Sequence, residues 1–177
     1  MSTRKSDKRN AVTIASVDTY RLPRSEAELE AARLRARKLL TRTAAVASAA
    51  SVIPLPGFDI AVDAGALLKV IPQINREFGL TPDQIEALSP NQQLLVYKAI
   101  VVVGGAMIGK LITRELVIEA LKAVGVRLTV KQVAKYVPIA GQAVSVALGY
   151  AALQYVGRQH IKECIKVVHT IQETGFS

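Results

Sequence analysis

Two prolines, each followed three residues later by a glycine, divide this chain into segments. Pro54 precedes Gly57 and Pro138 precedes Gly141 at the same spacing. A proline interrupts a helix, and a nearby glycine allows the chain to turn before the next helix begins. Each step opens an apolar segment rich in small residues. The sequence therefore predicts two Pro/Gly-broken helical hairpins, at Pro54, Pro56 and Gly57 and at Pro138 and Gly141.

The apolar composition favours packed helices. Hydrophobic residues make up 50% of the 177 residues, but aromatic residues only 5%, and there is no tryptophan. No convincing run of alternating polar and apolar residues predicts a strand. We therefore expect an all-α protein, a compact hydrophobic bundle of about five or six helices. Residues 1–24 are expected to form a basic, flexible arm, and residues 25–177 a single helical domain.

Capping signals predict where the helices begin and end. Ser25 with Glu28, and two Pro-containing segments that start at Thr81 and Ser89, have the spacing of capping boxes, and Gly79 is placed to end a helix. The predicted helices run from Ser25 into the uncharged stretch after Thr43, from about Phe58 to Phe78, from Thr81, from Ser89 to about Val124, and from about Ile139 to Glu173.

Helical spacing predicts one buried face on the first helix. Its members are Leu29, Ala32, Ala36, Leu39, Thr43, Val46 and Ala50. The stretch from Thr43 to Phe58 carries no charge. We expect this second half of the helix to be buried all round, in protein or lipid.

The net charge of +9 is concentrated at the beginning of the chain. The first 43 residues hold 11 Lys/Arg and 5 Asp/Glu. This pattern suits anionic lipid head groups or an acidic partner, and a solubilising tail is the alternative. The residues expected to contact an anionic surface are Arg4, Lys5, Lys8, Arg9, Arg33, Arg35, Arg37, Lys38 and Arg42. Nucleic acid is disfavoured, because no helix-turn-helix, zinc-ligand spacing or aromatic platform accompanies these residues.

A membrane contact is favoured over a membrane span. Tyr136 to Gly157 is uncharged for 22 residues, with Arg158 and Lys162 beyond its end. Its length would allow a span, but Pro138 shortens the helical part. The sequence is read as a bundle that meets a membrane; a soluble bundle and a spanning protein are the alternatives.

Two carboxylates form the candidate polar site. Asp59 and Asp63 lie one helical turn apart in an apolar setting. Paired carboxylates can bind cations or shift each other's pKa. The alternative places Asp59 in the first turn, where the helix dipole favours it, and Asp63 beside a basic group.

Other motifs are assigned to structure. The segment from Gly104 to Leu111 resembles a phosphate-binding loop but lacks the Ser or Thr after Lys110, so we expect its glycines to lie inside a long helix at a close helix contact. His160 and Cys164 are expected to be a solvated histidine and a packed cysteine. No catalytic residue, cofactor or metal site is predicted.

Small residues one helical turn apart predict close helix contacts in three helices. The pairs are Ala61 and Gly65, Gly105 and Gly109, and Ser145 and Gly149. Such spacing lets helix backbones approach each other. It occurs in membrane and soluble bundles, so it predicts tight packing without choosing between lipid and water.

Two motifs resemble a bacterial family. The run from Ile53 to Asp59, and the segment from Tyr136 to Arg158, resemble the helical domain often fused behind small GTPase domains, a family of unknown function that includes YcjF-type membrane proteins. The resemblance covers about residues 40–165. It implies membrane association and a GTPase partner, and it transfers no catalytic residue. No GTPase domain precedes the helical part here, so the partner is expected to act in trans.

Together these patterns predict a non-enzymatic, membrane-associated helical interaction module. No secretory signal is visible and there is a single cysteine, so we expect the inner, cytoplasmic face of the cell membrane. A homo-oligomer or hetero-assembly is expected. The main alternative is a soluble helical scaffold that forms oligomers, and a weaker one is a membrane-permeabilising effector.

Overall fold

The structure is a computed structural model in which residues 21–50, 58–122 and 141–174 are described. Within these ranges the chain is helical and contains no strand, which confirms the all-α prediction. Its helices are α1 (Glu26–Ala50), α2 (Phe58–Glu77), α3 (Pro82–Glu86), α4 (Pro90–Val103) and α5 (Gly141–Glu173). Residues 114–122 are also helical.

Helices α1, α2 and α5 pack on one another and form the core of the bundle. The start of α1 lies beside the end of α5, because Gln172 Nε2 donates to the carbonyl oxygen of Pro23 at 3.1 Å. Further along, Leu40 contacts Gly157, so α1 and α5 run antiparallel. Helix α4 packs on α5 and also contacts the short α3. The largest side chains of this core are fully buried: Leu29, Leu40, Leu67, Ile71, Ile74, Phe78, Leu153 and Ile171.

The buried face of α1 differs from the predicted one in its second half. Leu29, Ala32 and Ala36 are buried as predicted, but the buried face continues through Leu40, Ala44 and Ala47. Val46, expected in the core, is 72% exposed. The difference arises because a helix has 3.6 residues per turn, and the interface with α2 and α5 follows the longer spacing after Ala36. The uncharged half of α1 therefore exposes apolar surface and is not buried all round within the protein.

The helix starts predicted from the capping boxes at Ser25, Thr81 and Ser89 are confirmed. The N–H of Glu28 donates to Ser25 Oγ at 3.2 Å at the start of α1. At the start of α3 the N–H of Thr81 donates to Gln84 Oε1 at 3.1 Å, and at the start of α4 the N–H of Ser89 donates to Gln92 Oε1 at 3.2 Å. These bonds supply partners for N–H groups that have none within the helix.

Two glycines end helices in the left-handed conformation. Gly79 has φ +69° after α2, and Leu80 N–H donates to the Asn75 carbonyl oxygen at 2.9 Å. Gly104 has φ +75° after α4, and Gly105 N–H donates to the Ile100 carbonyl oxygen at 3.2 Å. Both have the hydrogen bonds of a Schellman C-cap, and glycine adopts this conformation without a steric penalty.

The predicted long helix from Ser89 to about Val124 is therefore wrong. Helix α4 ends at Val103, and residues 104–113 form a loop before the helical residues 114–122. The Gly104–Gly105 pair stops the helix, because each interior glycine is unfavourable and the first can adopt the left-handed cap. Gly105 and Gly109 thus lie in a loop and not inside a helix, although Gly109 itself lies close to Ile100 of α4.

The hairpin positions Pro54, Pro56, Gly57 and Pro138 lie outside the described residues, and Gly141 is the first residue of α5. Of the predicted arm, residues 1–20 also lie outside them, whereas Leu22 and Pro23 are buried against the bundle. In the described part of the chain, no helix has both the length and the hydropathy that a transmembrane span requires.

Candidate functional site

A basic cleft of about 790 Å³ lies between α1 and α5. Arg33 and Arg37 line it from α1, and Arg158 and Lys162 line it from α5. Each pair is spaced by one helical turn, so both cations of a pair lie on the same side of their helix. No Asp or Glu is among the described residues that line the cleft. Its walls therefore concentrate positive charge on one small volume.

A buried glutamine holds two residues of the cleft in position. Gln154 Nε2 donates to the hydroxyl oxygen of Tyr150 at 3.3 Å. Arg158 Nε donates to Gln154 Oε1 at 3.1 Å. Because only Nε of Arg158 takes part in this bond, its two terminal nitrogens are left for a ligand. The exposed side chain of Tyr155 also lines the cleft.

The cations of the cleft differ in how far they are already neutralised. Arg33 forms an ion pair with Glu30 at 2.9 Å. Arg37, Arg158 and Lys162 make no ion pair with any described residue. The cleft therefore keeps a clear excess of positive charge.

The basic residues predicted to contact an anionic surface thus occupy different places in the structure. Arg33 and Arg37 line the cleft. Arg35 instead pairs with Glu77 of α2, its Nε lying 2.5 Å from Glu77 Oε2. Lys38 and Arg42 are exposed outside the cleft. Arg4, Lys5, Lys8 and Arg9 lie outside the described residues.

A second surface feature, which we call the apolar rim, lies at the end of α4 and in the following loop. It consists of Val101, Val102 and Leu111, which are 80%, 77% and 81% exposed, together with the exposed Lys98 and Lys110. The loop returns along α4, because a Cβ at Gly109 would lie 3.1 Å from Ile100 Cδ1 and 3.9 Å from Tyr97 Cε1. Single exposed aliphatic side chains are common in proteins, whereas several of them in one segment that also carries exposed lysines suit a partner or a bilayer surface.

A buried polar cluster links α2, the loop after α4, and α5. Asn75 Nδ2 donates to the Met107 carbonyl oxygen at 2.9 Å, so its Oδ1 faces α5 as an acceptor. His160 Nε2 therefore donates to Asn75 Oδ1, at 2.7 Å. The Cys164 thiol lies 3.7 Å from the same oxygen. The prediction that His160 is solvated is wrong, because only 1% of its surface is exposed.

Burial keeps the cluster uncharged. It lowers the pKa of His160 from 6.5 to about 4, and together with the Glu163 carboxylate it raises the pKa of the Cys164 thiol. At neutral pH the imidazole is neutral and the thiol is protonated. A nucleophilic cysteine needs a lowered thiol pKa and access to solvent, so this pair is suited to holding the bundle together rather than to thiol chemistry.

The remaining candidates are placed as follows. Asp59 and Asp63 lie in α2, one turn apart. Among the described residues, no group of three or more His, Cys, Asp and Glu side chains is placed to hold a metal ion. Val103, the residue before the segment that resembles a phosphate-binding loop, is the last residue of α4, so a helix and not a strand leads into this segment.

Sequence reasoning missed half of the basic cleft. In the sequence, Arg158 and Lys162 stand out only as charges beyond an uncharged segment. Their spacing, with Gln154 one turn before Arg158, is visible in the sequence. The antiparallel packing that brings them to Arg33 and Arg37 is not visible in the sequence.

No protein-family model, curated protein or solved structure matches this chain.

Proposed function

We propose that this chain is a non-enzymatic, membrane-associated helical interaction module that docks on the inner face of the cell membrane through its apolar rim. The exposure of Val101, Val102 and Leu111, bordered by two lysines, is the observation that supports the proposal. Aliphatic side chains at this position can enter the acyl boundary while Lys98 and Lys110 reach anionic head groups.

The rest of the positive surface would add a salt-dependent attraction. Lys38 and Arg42 are exposed on α1, and the net charge of the chain is +9. Each basic residue near an anionic surface contributes about 1 kcal/mol, and salt screens this attraction. Burial of the rim would not be screened in this way. The two contributions can therefore be separated by ionic strength.

Flotation with vesicles tests the rim. We expect the wild-type protein to float with phosphatidylglycerol vesicles at low salt and to keep part of this binding at high salt. Leu111→Ser, combined with Val101→Ser, should abolish the salt-resistant part, because it removes two exposed aliphatic side chains without disturbing the core. Leu34→Ser is the matched control, since Leu34 is an exposed leucine of α1 outside the rim.

Equal flotation of the rim variant and the wild type would contradict docking through the rim. A protein that never floats would favour the second candidate, a soluble helical scaffold. One observation supports that alternative: Leu94, Tyr97 and Val101 are exposed at helical spacing on α4 and could meet a second copy. Sedimentation at several protein concentrations would then measure the oligomeric state.

A GTPase acting in trans remains part of the proposal through the family resemblance alone. A pull-down with the immobilised chain, using nucleotide-loaded and empty GTPase, tests this partner. If neither form is retained, the GTPase is excluded as a partner.

A further inference from the structure

We propose that the basic cleft between α1 and α5 is a binding site for a phosphate monoester, carried either by a soluble molecule or by a lipid head group. This inference goes beyond docking through the apolar rim and does not depend on it. It rests on the four cations Arg33, Arg37, Arg158 and Lys162 and on the hydrogen bonds that position Arg158.

The charge of the cleft selects a compact anion. Three of its cations make no ion pair with a described residue, and no described carboxylate lines the walls. Like charges that converge on one volume repel each other, and a bound anion relieves this repulsion. A phosphate monoester carries nearly two negative charges at neutral pH, which is a better match than the single charge of a carboxylate or a phosphodiester.

The arginines suit the geometry of phosphate. A guanidinium group is planar and can donate two parallel hydrogen bonds to phosphate oxygens. Gln154 fixes the Nε side of Arg158 and is itself bonded to Tyr150, so less side-chain freedom is lost when a ligand binds. Lys162, one turn further along α5, adds a mobile point charge.

Size and aromatic lining indicate a small ligand rather than a polymer. The volume of about 790 Å³ falls within the range of about 300–1,000 Å³ that is usual for small-molecule sites. The exposed side chains of Tyr150 and Tyr155 line the same cleft. Their rings can pack on the body that carries the phosphate. We therefore expect a ring-bearing phosphate to bind more tightly than inorganic phosphate.

Titration calorimetry with phenyl phosphate tests the site directly. We expect phenyl phosphate to bind more tightly than either inorganic phosphate or benzoate. The double variant Arg37→Gln, Arg158→Gln should weaken its binding about tenfold or more, because two charge-assisted contacts are lost. The control is Lys38→Gln, Arg42→Gln, which removes the same charge from exposed positions of α1 outside the cleft and should change the affinity by less than about twofold.

Vesicles then identify the source of the phosphate. Phosphatidic acid presents a phosphate monoester, whereas phosphatidylglycerol presents a diester, and the two vesicle types are compared at equal surface charge. If the ligand is a head group, the Arg37/Arg158 variant should lose the preference for phosphatidic acid and still float on phosphatidylglycerol through the rim. If the ligand is soluble, the wild-type protein should bind phenyl phosphate and float equally on phosphatidic acid and phosphatidylglycerol vesicles.

Two results would overturn the proposal. One is a wild-type protein that binds phenyl phosphate no better than inorganic phosphate or benzoate, and phosphatidic acid vesicles no better than phosphatidylglycerol vesicles. The other is an unchanged affinity in the Arg37/Arg158 variant. Should that variant not fold, Lys162→Gln replaces it, since Lys162 is exposed at the cleft. Failure of the rim proposal is a separate result. It appears as equal flotation of the rim variant and the wild type on phosphatidylglycerol, or as a wild-type protein that never floats there, with phenyl phosphate binding intact.

Discussion

A single histidine shows how burial determines the chemistry of a side chain here. His160 donates to Asn75 through Nε2, while its Nδ1 makes no hydrogen bond with any described residue and lies 3.9 Å from Glu163 Oε2. A protonated imidazole would put a charge inside the bundle, and this cost lowers the pKa of His160 to about 4. The unfolded chain, with an ordinary pKa of 6.5, takes up the proton earlier as the pH falls.

We therefore expect acid to weaken the fold through His160. Its contribution to stability is fully present above pH 6.5 and declines as the pH falls towards 4, by about 1.4 kcal/mol per pH unit. Between pH 7 and pH 5 the free energy of unfolding should fall by about 2 kcal/mol from this group. Urea unfolding of the wild type and of His160→Gln at both pH values measures it.

The variant isolates the histidine from other groups. Partial burial raises the pKa of Glu163, so its titration has the opposite sign and stabilises the fold as the pH falls. Because Glu163 is present in both proteins, the difference between their pH dependences reports His160. Equal losses of stability in the two proteins would contradict the assignment.

The burial of His160 could not be predicted from α5 alone. Its neighbours Ile161 and Lys162 leave the polarity of that face ambiguous in the sequence. What buries it is Asn75, 85 positions away in another helix. Only the packing of α2 against α5 brings these two side chains together.

At the scale of helices, local sequence signals are sufficient to predict where a helix begins. They are not sufficient to predict which helices come into contact. The starts of α1, α3 and α4 follow from capping residues within four positions of one another. The end of α4 does not follow in the same way, because the glycines from Gly104 onward are compatible with either a close helix contact or a left-handed cap. The predicted close contact at Ala61 and Gly65 is wrong, and a close helix contact is found elsewhere. A Cβ at Gly65 would meet no described atom within 4 Å, but Gly157, outside the predicted small-residue pairs, lies against α1.

Two glycine substitutions distinguish these environments. At Gly157 an added Cβ would overlap Leu40 Cδ1 and lie 2.7 Å from its Cδ2, and the Leu40 side chain is buried in the core. We expect Gly157→Ala to lower the free energy of unfolding by about 1–3 kcal/mol. Gly65→Ala, in the open interior of α2, should raise it by about 0.5–1 kcal/mol, because glycine loses more backbone entropy in a helix than alanine does.

Denaturant unfolding of both variants checks the pair. A further variant combines Gly157→Ala with Leu40→Ala, whose smaller side chain leaves space for the new Cβ. The combined cost should be less than the sum of the two single costs, since the residues are in contact. A neutral Gly157→Ala would contradict the prediction and show that the Leu40 side chain or α1 moves aside without cost.

At the scale of the molecule, the two proposed surfaces have different origins. Both halves of the basic cleft are visible in the sequence as charged residues one turn apart, and only the antiparallel packing of α1 and α5 combines them. The apolar rim depends on where α4 ends, and the predicted long helix concealed it. The fold class followed from composition and periodicity because these depend on local residues, whereas the sites depend on contacts between distant segments.

Asn75 connects these distant segments, and its removal should affect the whole molecule. It bonds α5 through His160 and the loop after α4 through the Met107 carbonyl, next to a second link in which Gly109 N–H donates to the Leu80 carbonyl oxygen at 3.1 Å. Asn75→Ala leaves two buried polar groups without partners. We expect the free energy of unfolding to fall by about 2–4 kcal/mol.

Hydrogen exchange should show where the connection is lost. In Asn75→Ala the amides of residues 104–113 are expected to exchange faster than in the wild type, because the loop no longer has its anchor on α2. Gln93→Ala is the matched control: its amide also donates to backbone carbonyls, those of Glu86 and Leu88, but at a more exposed site. It should cost about 1 kcal/mol or less and leave loop exchange unchanged. If Asn75→Ala leaves that exchange unchanged too, the loop that carries Leu111 is held by contacts other than Asn75, and the position of the apolar rim does not depend on the buried polar cluster.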